Sequence, residues 1–209
     1  MALITKDLPD CKLVEIIREA LPFLNMENGP WIAGGAVRRI YEGNGLRFSD
    51  IDVFFPNEDM QLWAVKLFNS RMSTKQGWSS VQVVDRVLGP MSATFYILYE
   101  DQKVPIQFIS KKYFPSMEAI LNDFDFTLCM WGTDGQKMVY DERAPRDLAS
   151  KSLVLHDHPK RPKPNRLAKY VAQGFVPGPG VLSHMLGMHI KADWYKPENG
   201  LTYDYPDNY

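Results

Sequence analysis

Two aspartates, Asp50 and Asp52, follow a pair of adjacent glycines, Gly34 and Gly35, within the stretch Trp31–Phe55. In an extended chain alternate side chains share a face, so both carboxylates point one way while Ile51 and Val53 point the other. Like charges about 7 Å apart on one strand face repel. A divalent cation relieves that repulsion, and Mg²⁺ prefers carboxylate oxygens, completing its shell with water and substrate phosphates. The diglycine has no Cβ, so its backbone can approach a polyphosphate closely, and N–H groups that open a helix attract anions. Arg38 and Arg39 come next in the chain, where a guanidinium can pair with phosphate oxygens in a forked geometry. Metal-binding carboxylates beside a phosphate-binding turn are the parts that phosphoryl or nucleotidyl transfer requires.

The elements around these residues read as strand, turn, helix, loop and strand. Pro30–Ala33 is a short apolar run that Gly34-Gly35 breaks. Ala36, Val37, Ile40 and Tyr41 then recur at helical spacing, and Gly43–Gly45 stops the helix. Ser49–Phe55 alternates as a strand. Residues 10–24 read as an amphipathic helix with Asp10 as N-cap and Leu13, Val14, Ile17, Ala20, Leu21 and Leu24 on its apolar stripe. Asn57 is placed to cap another helix whose stripe is Met60, Trp63, Ala64, Leu67 and Phe68. Val81–Val87, Ala93–Tyr99 and Val104–Ile109 read as strands, the last two joined by a turn. Ser116 caps a short helix, and Phe126–Trp131 with Lys137–Tyr140 reads as a hairpin around Thr133–Gln136.

The segments G-G-A-V-R-R and S-D-I-D-V-F-F resemble the nucleotidyltransferase superfamily of DNA polymerase beta. Within it they are similar to the head domain of bacterial-type CCA-adding tRNA nucleotidyltransferases and poly(A) polymerases, with their G-G-x-V-R-D and D-x-D segments. Asp125-Phe126-Thr127, Asp141 with Asp147-Leu148, and Arg166–Phe175 resemble later segments of that head, so the likeness covers residues 28–175. The resemblance implies an α+β (α/β-like) nucleotidyltransferase fold with a short mixed β-sheet flanked by helices, and a short C-terminal helical extension and tail. It implies one or two Mg²⁺ ions on Asp50 and Asp52 as catalytic and metal-binding residues. It implies nucleotide contacts from Gly34, Gly35, Arg38, Arg39, Ser49, Arg166 and Lys169. The reaction implied moves a nucleoside monophosphate from an NTP such as ATP to a hydroxyl acceptor, an RNA 3′ end (tRNA-like) or a protein, and releases pyrophosphate.

The sequence departs from the family pattern in three places. Arg39 stands where the family usually has aspartate. Gln107 stands on the strand where many members carry a third carboxylate; Gln offers a carbonyl oxygen but no charge and no base. Asp85 or Asp125 is then a candidate to complete the site. Phe124 and Cys129 replace polar residues around the D-F-T segment. These departures support an alternative, a catalytically impaired nucleotide-binding or partner-binding module that kept the fold.

At 209 residues, with 45% hydrophobic and 23% charged residues, the chain can bury an ordinary core. The reading divides it into a head (1–150), a basic helical extension (151–175) and a linker with an aromatic and acidic tail (176–209). A net charge of −1 leaves nucleic-acid contact to a local patch. Arg166, Lys169 and Gln173 share the outward face of a helix capped by Asn165, with Leu167, Tyr170 and Val171 inward. Two cysteines, Cys11 and Cys129, without C-x-x-C spacing, suit a reduced, cytoplasmic protein. No run approaches the length of a membrane span. His156 and His158 flank Asp157 without further metal ligands nearby.

Overall fold

The computed structural model describes residues 2–43, 50–73, 81–99, 101–156, 164–178 and 180–184. The chain forms two compact units, Met1–Asn122 with Cys129–Glu142, and Asp123–Leu128 with Arg143–Tyr209.

In the first unit, β1 (Leu3–Asp7), α1 (Lys12–Ala20), β2 (Trp31–Ala33), α2 (Gly35–Tyr41), β3 (Ile51–Phe54) and α3 (Glu58–Ser73) come first. They are followed by β4 (Gln82–Leu88), β5 (Ser92–Tyr99), β6 (Gln102–Ile109), α4 (Met117–Leu121), β7 (Trp131–Thr133) and β8 (Lys137–Asp141). The strands make one eight-stranded sheet in the order β1-β8-β7-β2-β3-β6-β5-β4. Its pairs are antiparallel except β3 with β6, which is parallel. The architecture is the α+β one that the sequence suggests: a mixed sheet flanked by helices.

The alternation along each strand shows which sheet face holds the core. On β5 and β6 the buried set is Ala93, Phe95, Ile97 and Tyr99 with Val104, Ile106 and Phe108. On β3 it is Ile51 and Val53. Helix α3 packs there through Ala64 and Phe68, the Phe68 ring lying 5.1 Å from Phe95 and 4.9 Å from Phe108. Each such buried aromatic or branched side chain stabilises the fold by about 2–3 kcal/mol. Asn57 accepts a hydrogen bond from the Met60 N–H at 2.9 Å, the cap read from the sequence. Trp63 and Leu62 lie outside the core at 49% and 45% exposure, so the α3 stripe is narrower than its apolar pattern. At the end of α3, Arg71 donates to the Ala20 carbonyl at 2.7 Å and tethers the last residue of α1.

Three elements differ from the sequence reading. Helix α1 begins at Lys12 after Cys11, with no side-chain cap, because Asp10 lies one residue too far back and its carboxylate meets Arg18 at 3.4 Å instead. Strand β1 pairs with β8 from Leu3↔Asp141 to Asp7↔Lys137; as a mostly exposed edge it lacks the apolar alternation that marks strands. The Phe126–Trp131 segment is not one strand: Thr127–Cys129 is a 3₁₀ turn and β7 starts at Trp131. All of residues 125–133 are buried, so an apolar run there carries no periodicity.

The second unit contains α5 (Ala144–Ala149), β9 (Ser152–Leu153), α6 (Pro164–Ala172) and β10 (Val176–Pro177), with β9 and β10 paired in parallel. Helix α6 buries Tyr170, whereas Val171 is 47% exposed, against the inward position read for it. Gly174 ends the helix with φ +85°. His158 and much of the 176–209 tail lie outside the described residues.

Candidate functional site

Strand β2 is a fully buried Trp-Ile-Ala run that delivers the chain to the diglycine. The Trp31 indole N–H donates to the Met26 carbonyl at 2.8 Å, and Asn25 Oδ1 accepts from the backbone of Glu27 and Asn28, so the entry loop is held by its own hydrogen bonds. Gly34 then adopts φ +93°, ψ −139°, a conformation that a Cβ strongly disfavours. Its N–H donates to the Trp131 carbonyl of β7 at 2.7 Å and its carbonyl accepts from Arg38 N at 3.2 Å. The Gly34 N–H is thus spent on the sheet, and the amides that open α2 toward solvent begin at Gly35.

Along α2, Ala36, Val37 and Ile40 are buried. Arg38 is buried with them, and its Nε lies 3.8 Å from Glu42 Oε2, one turn toward the helix C-terminus. Arg39 is half-buried and sits four residues after Gly35, on the same helix face. Of the two arginines, Arg39 is the less buried.

Strand β3 brings the acids to this turn. Ile51 and Val53 are fully buried, while Asp52 and Phe54 occupy the other face, half-buried. Asp50, the residue before the strand, is exposed, and the same alternation carried back one step sets it on the Asp52 face. The antiparallel register Ile32↔Val53, continued by one pair, sets Ala33 opposite Asp52 and the diglycine turn beside the start of β3. Gly34, Gly35, Asp50 and Asp52 therefore meet at one end of the β2–β3 pair. Ser49 lies outside the described residues.

The parallel register places Gln107 directly beside Asp52. On the far side of Gln107, β5 presents Thr94 in register and Ser92 two residues before it. Gln107 Nε2 donates to Ser92 Oγ at 3.0 Å and to Thr94 Oγ1 at 3.4 Å. Nothing in the sequence pattern marks Ser92 or Thr94 as neighbours of the acidic pair; only the strand order does.

Of the aspartates considered as a third carboxylate, Asp85 lies too far along the sheet to fill that role. Asp85 lies on β4, three strands from β3, about 14 Å away at the usual strand spacing. Asp125 belongs to the second unit, where it holds Arg166 in a two-pronged ion pair, Nε to Oδ2 at 2.9 Å and Nη2 to Oδ1 at 2.9 Å. Asp125 Oδ1 also accepts from the Phe126 N–H at 3.0 Å. Arg166 and Lys169 thus belong to α6 of the second unit, with Lys169 exposed. No cluster of three or more His, Cys, Asp or Glu occurs among the described residues. The groups available at this end of the β3–β6 pair are two carboxylates and one amide oxygen, all hard oxygens, which fits Mg²⁺ by chemical type. Cys11 and Cys129 are not joined in a disulfide, and no described helix is long and apolar enough to cross a membrane.

The chain shares its fold with CCA-adding enzymes. An apo form of a CCA-adding enzyme superposes with a TM-score of 0.57 at 16% identity, covering 87% of this chain and 47% of that one. The Thermotoga maritima CCA-adding enzyme complexed with tRNA gives 0.55 at 17% identity, covering 87% and 45%. A curated protein of Bacillus phage SPbetaL7, "Gabija anti-defense 2", is 25% identical over 167 residues, which are 79% of this chain and 34% of that protein. The chain thus spans about a third of that relative's length and about half of the enzymes it superposes on. The profile of the Gabija anti-defense 2 family matches residues 10–151, more than half of the sequence, so a chain with a nucleotidyltransferase-like fold belongs to the Gabija anti-defense 2 family.

Proposed function

We propose that the chain is a Mg²⁺-dependent nucleotidyltransferase that moves a nucleoside monophosphate from an NTP, such as ATP, to a hydroxyl of an RNA 3′ end or a protein, releasing pyrophosphate. The observation that carries this reading is the meeting of the diglycine turn with Asp50 and Asp52 at one end of β2 and β3. The family name assigns its members to countering Gabija defence; nucleotidylation of an RNA or protein acceptor is the chemical means we infer for this chain.

Asp50 and Asp52 hold the cation on one strand face. When bound, Mg²⁺ offsets charge on the phosphates and favours the ionised acceptor hydroxyl. The amides of Gly35, Ala36 and Val37 bind the triphosphate at the α2 N-terminus, and Arg39, the less buried of the two α2 arginines, neutralises a phosphate oxygen. The acceptor oxygen attacks the α-phosphorus, the α–β bridging bond breaks, and pyrophosphate leaves with that electron pair. Gln107 cannot take the acceptor's proton, which leaves the half-buried Asp52 as the base in that row.

The position of Gln107 favours a second reading, nucleotide binding without transfer. Incubation with Mg²⁺, α-labelled NTPs and mixed RNA and protein acceptors separates the two. Label transfer that Asp52→Asn abolishes supports the transferase. Binding without pyrophosphate release supports the impaired module, and absence of NTP binding refutes both.

A further inference from the structure

We propose that Gln107 is a third, uncharged ligand of the divalent cation, and that Ser92 and Thr94 are positioning residues which turn its amide oxygen toward Asp52. This rests on the proposed metal site at Asp50 and Asp52. Strand β6 lies between β3 and β5, so the side chain of Gln107 has Asp52 on one flank and the two hydroxyls on the other. Its nitrogen is engaged on the β5 flank by Ser92 Oγ at 3.0 Å and Thr94 Oγ1 at 3.4 Å. In a planar amide, committing the nitrogen to one flank swings the oxygen to the other, where the acids are. The hydroxyls are acceptors for the amide N–H and so fix which end faces the cation, as outer-shell partners fix the orientation of metal ligands. The set then carries two negative charges on three ligating groups, enough to neutralise one divalent cation.

The test measures Mn²⁺ binding to the full chain by electron paramagnetic resonance, with and without a non-hydrolysable NTP analogue, and needs no turnover. The wild-type chain is expected to hold one ion. Gln107→Leu and the double variant Ser92→Ala, Thr94→Val are each expected to weaken the ion by about tenfold. Ser92→Thr is expected to retain binding, because the hydroxyl is kept, and Gln107→Glu is expected to tighten it by about tenfold by adding a charge. Thermal unfolding of each variant separates a folding defect from a lost ligand, and Gln107→Glu is the variant whose gain cannot come from misfolding. If the wild-type chain binds Mn²⁺ and Gln107→Leu binds it equally well, the ligand role is wrong while the metal site stands. If Gln107→Leu weakens binding but the hydroxyl double variant does not, the positioning role is wrong. If the wild-type chain binds no Mn²⁺ even with the nucleotide analogue, the metal site itself is wrong and this inference goes with it.

Discussion

At Gly34 a backbone angle and a hydrogen bond act together. With φ +93° the residue sits where only glycine is comfortable, and its N–H is tied to Trp131. Gly34→Ala is expected to cost about 1–3 kcal/mol in urea unfolding and to loosen NTP binding, because the α2 N-terminus shifts with it. The two arginines of α2 should separate cleanly. Arg38→Ala removes a buried side chain and is expected to lower stability by about 2 kcal/mol. Arg39→Ala is expected to leave stability within about 0.5 kcal/mol while weakening NTP binding by about tenfold, the loss of one charge-assisted phosphate pair. Calorimetric titration of an NTP analogue checks both; equal effects from the two would remove Arg39 from the phosphate site. The glycines and aspartates were legible from spacing because a turn and a strand are local. That Gly34 spends its amide on β7 was not, since its partner is almost a hundred residues further along the chain.

Elements with a periodic apolar face could be read directly, and those without could not. Strands β5 and β6 alternate along their whole length and their hairpin was evident. Strand β1 is Leu-Ile-Thr-Lys-Asp with four exposed positions, and its pairing with β8 depends on a complementary edge rather than on burial. The parallel pairing of β3 with β6 needs a crossover, so the row Asp52–Gln107–Thr94 emerges only when strand order is known. Within this unit Arg71 joins two helices: it donates to the Ala20 carbonyl at 2.7 Å while its guanidinium lies 5.1 Å over the Phe68 ring. Arg71→Ala is expected to cost about 1–2 kcal/mol in chemical denaturation, one hydrogen bond to a charged donor plus lost packing. Arg71→Met keeps the packing and should recover part of that loss. In the second unit Arg166→Ala leaves the carboxylate of Asp125 buried without its cation. Because the Arg166 side chain is 39% exposed, the expected cost is about 1–3 kcal/mol, below that of a fully buried pair.

For the molecule as a whole, the proposed function makes a claim about where stability should change. A ligand that binds only the folded state stabilises it by about 2.7 kcal/mol at a hundredfold excess over Kd. The chain forms two compact units, so one melting temperature need not report on the head, whereas amide exchange resolves it residue by residue. On adding Mg²⁺ and a non-hydrolysable NTP analogue, protection should rise at Gly35–Val37 and around Asp52 and Gln107, the segments that meet at one end of β2 and β3. Removing Mg²⁺ with a chelator should erase most of that rise, because the triphosphate then faces two uncompensated carboxylates. Asp52→Asn should also erase it while preserving the protection of the Phe68–Phe95–Phe108 core, which lies on the opposite sheet face. A rise that survives both treatments would mean that the nucleotide sits elsewhere, and the convergence of turn and acids would then be a feature of the shared fold alone.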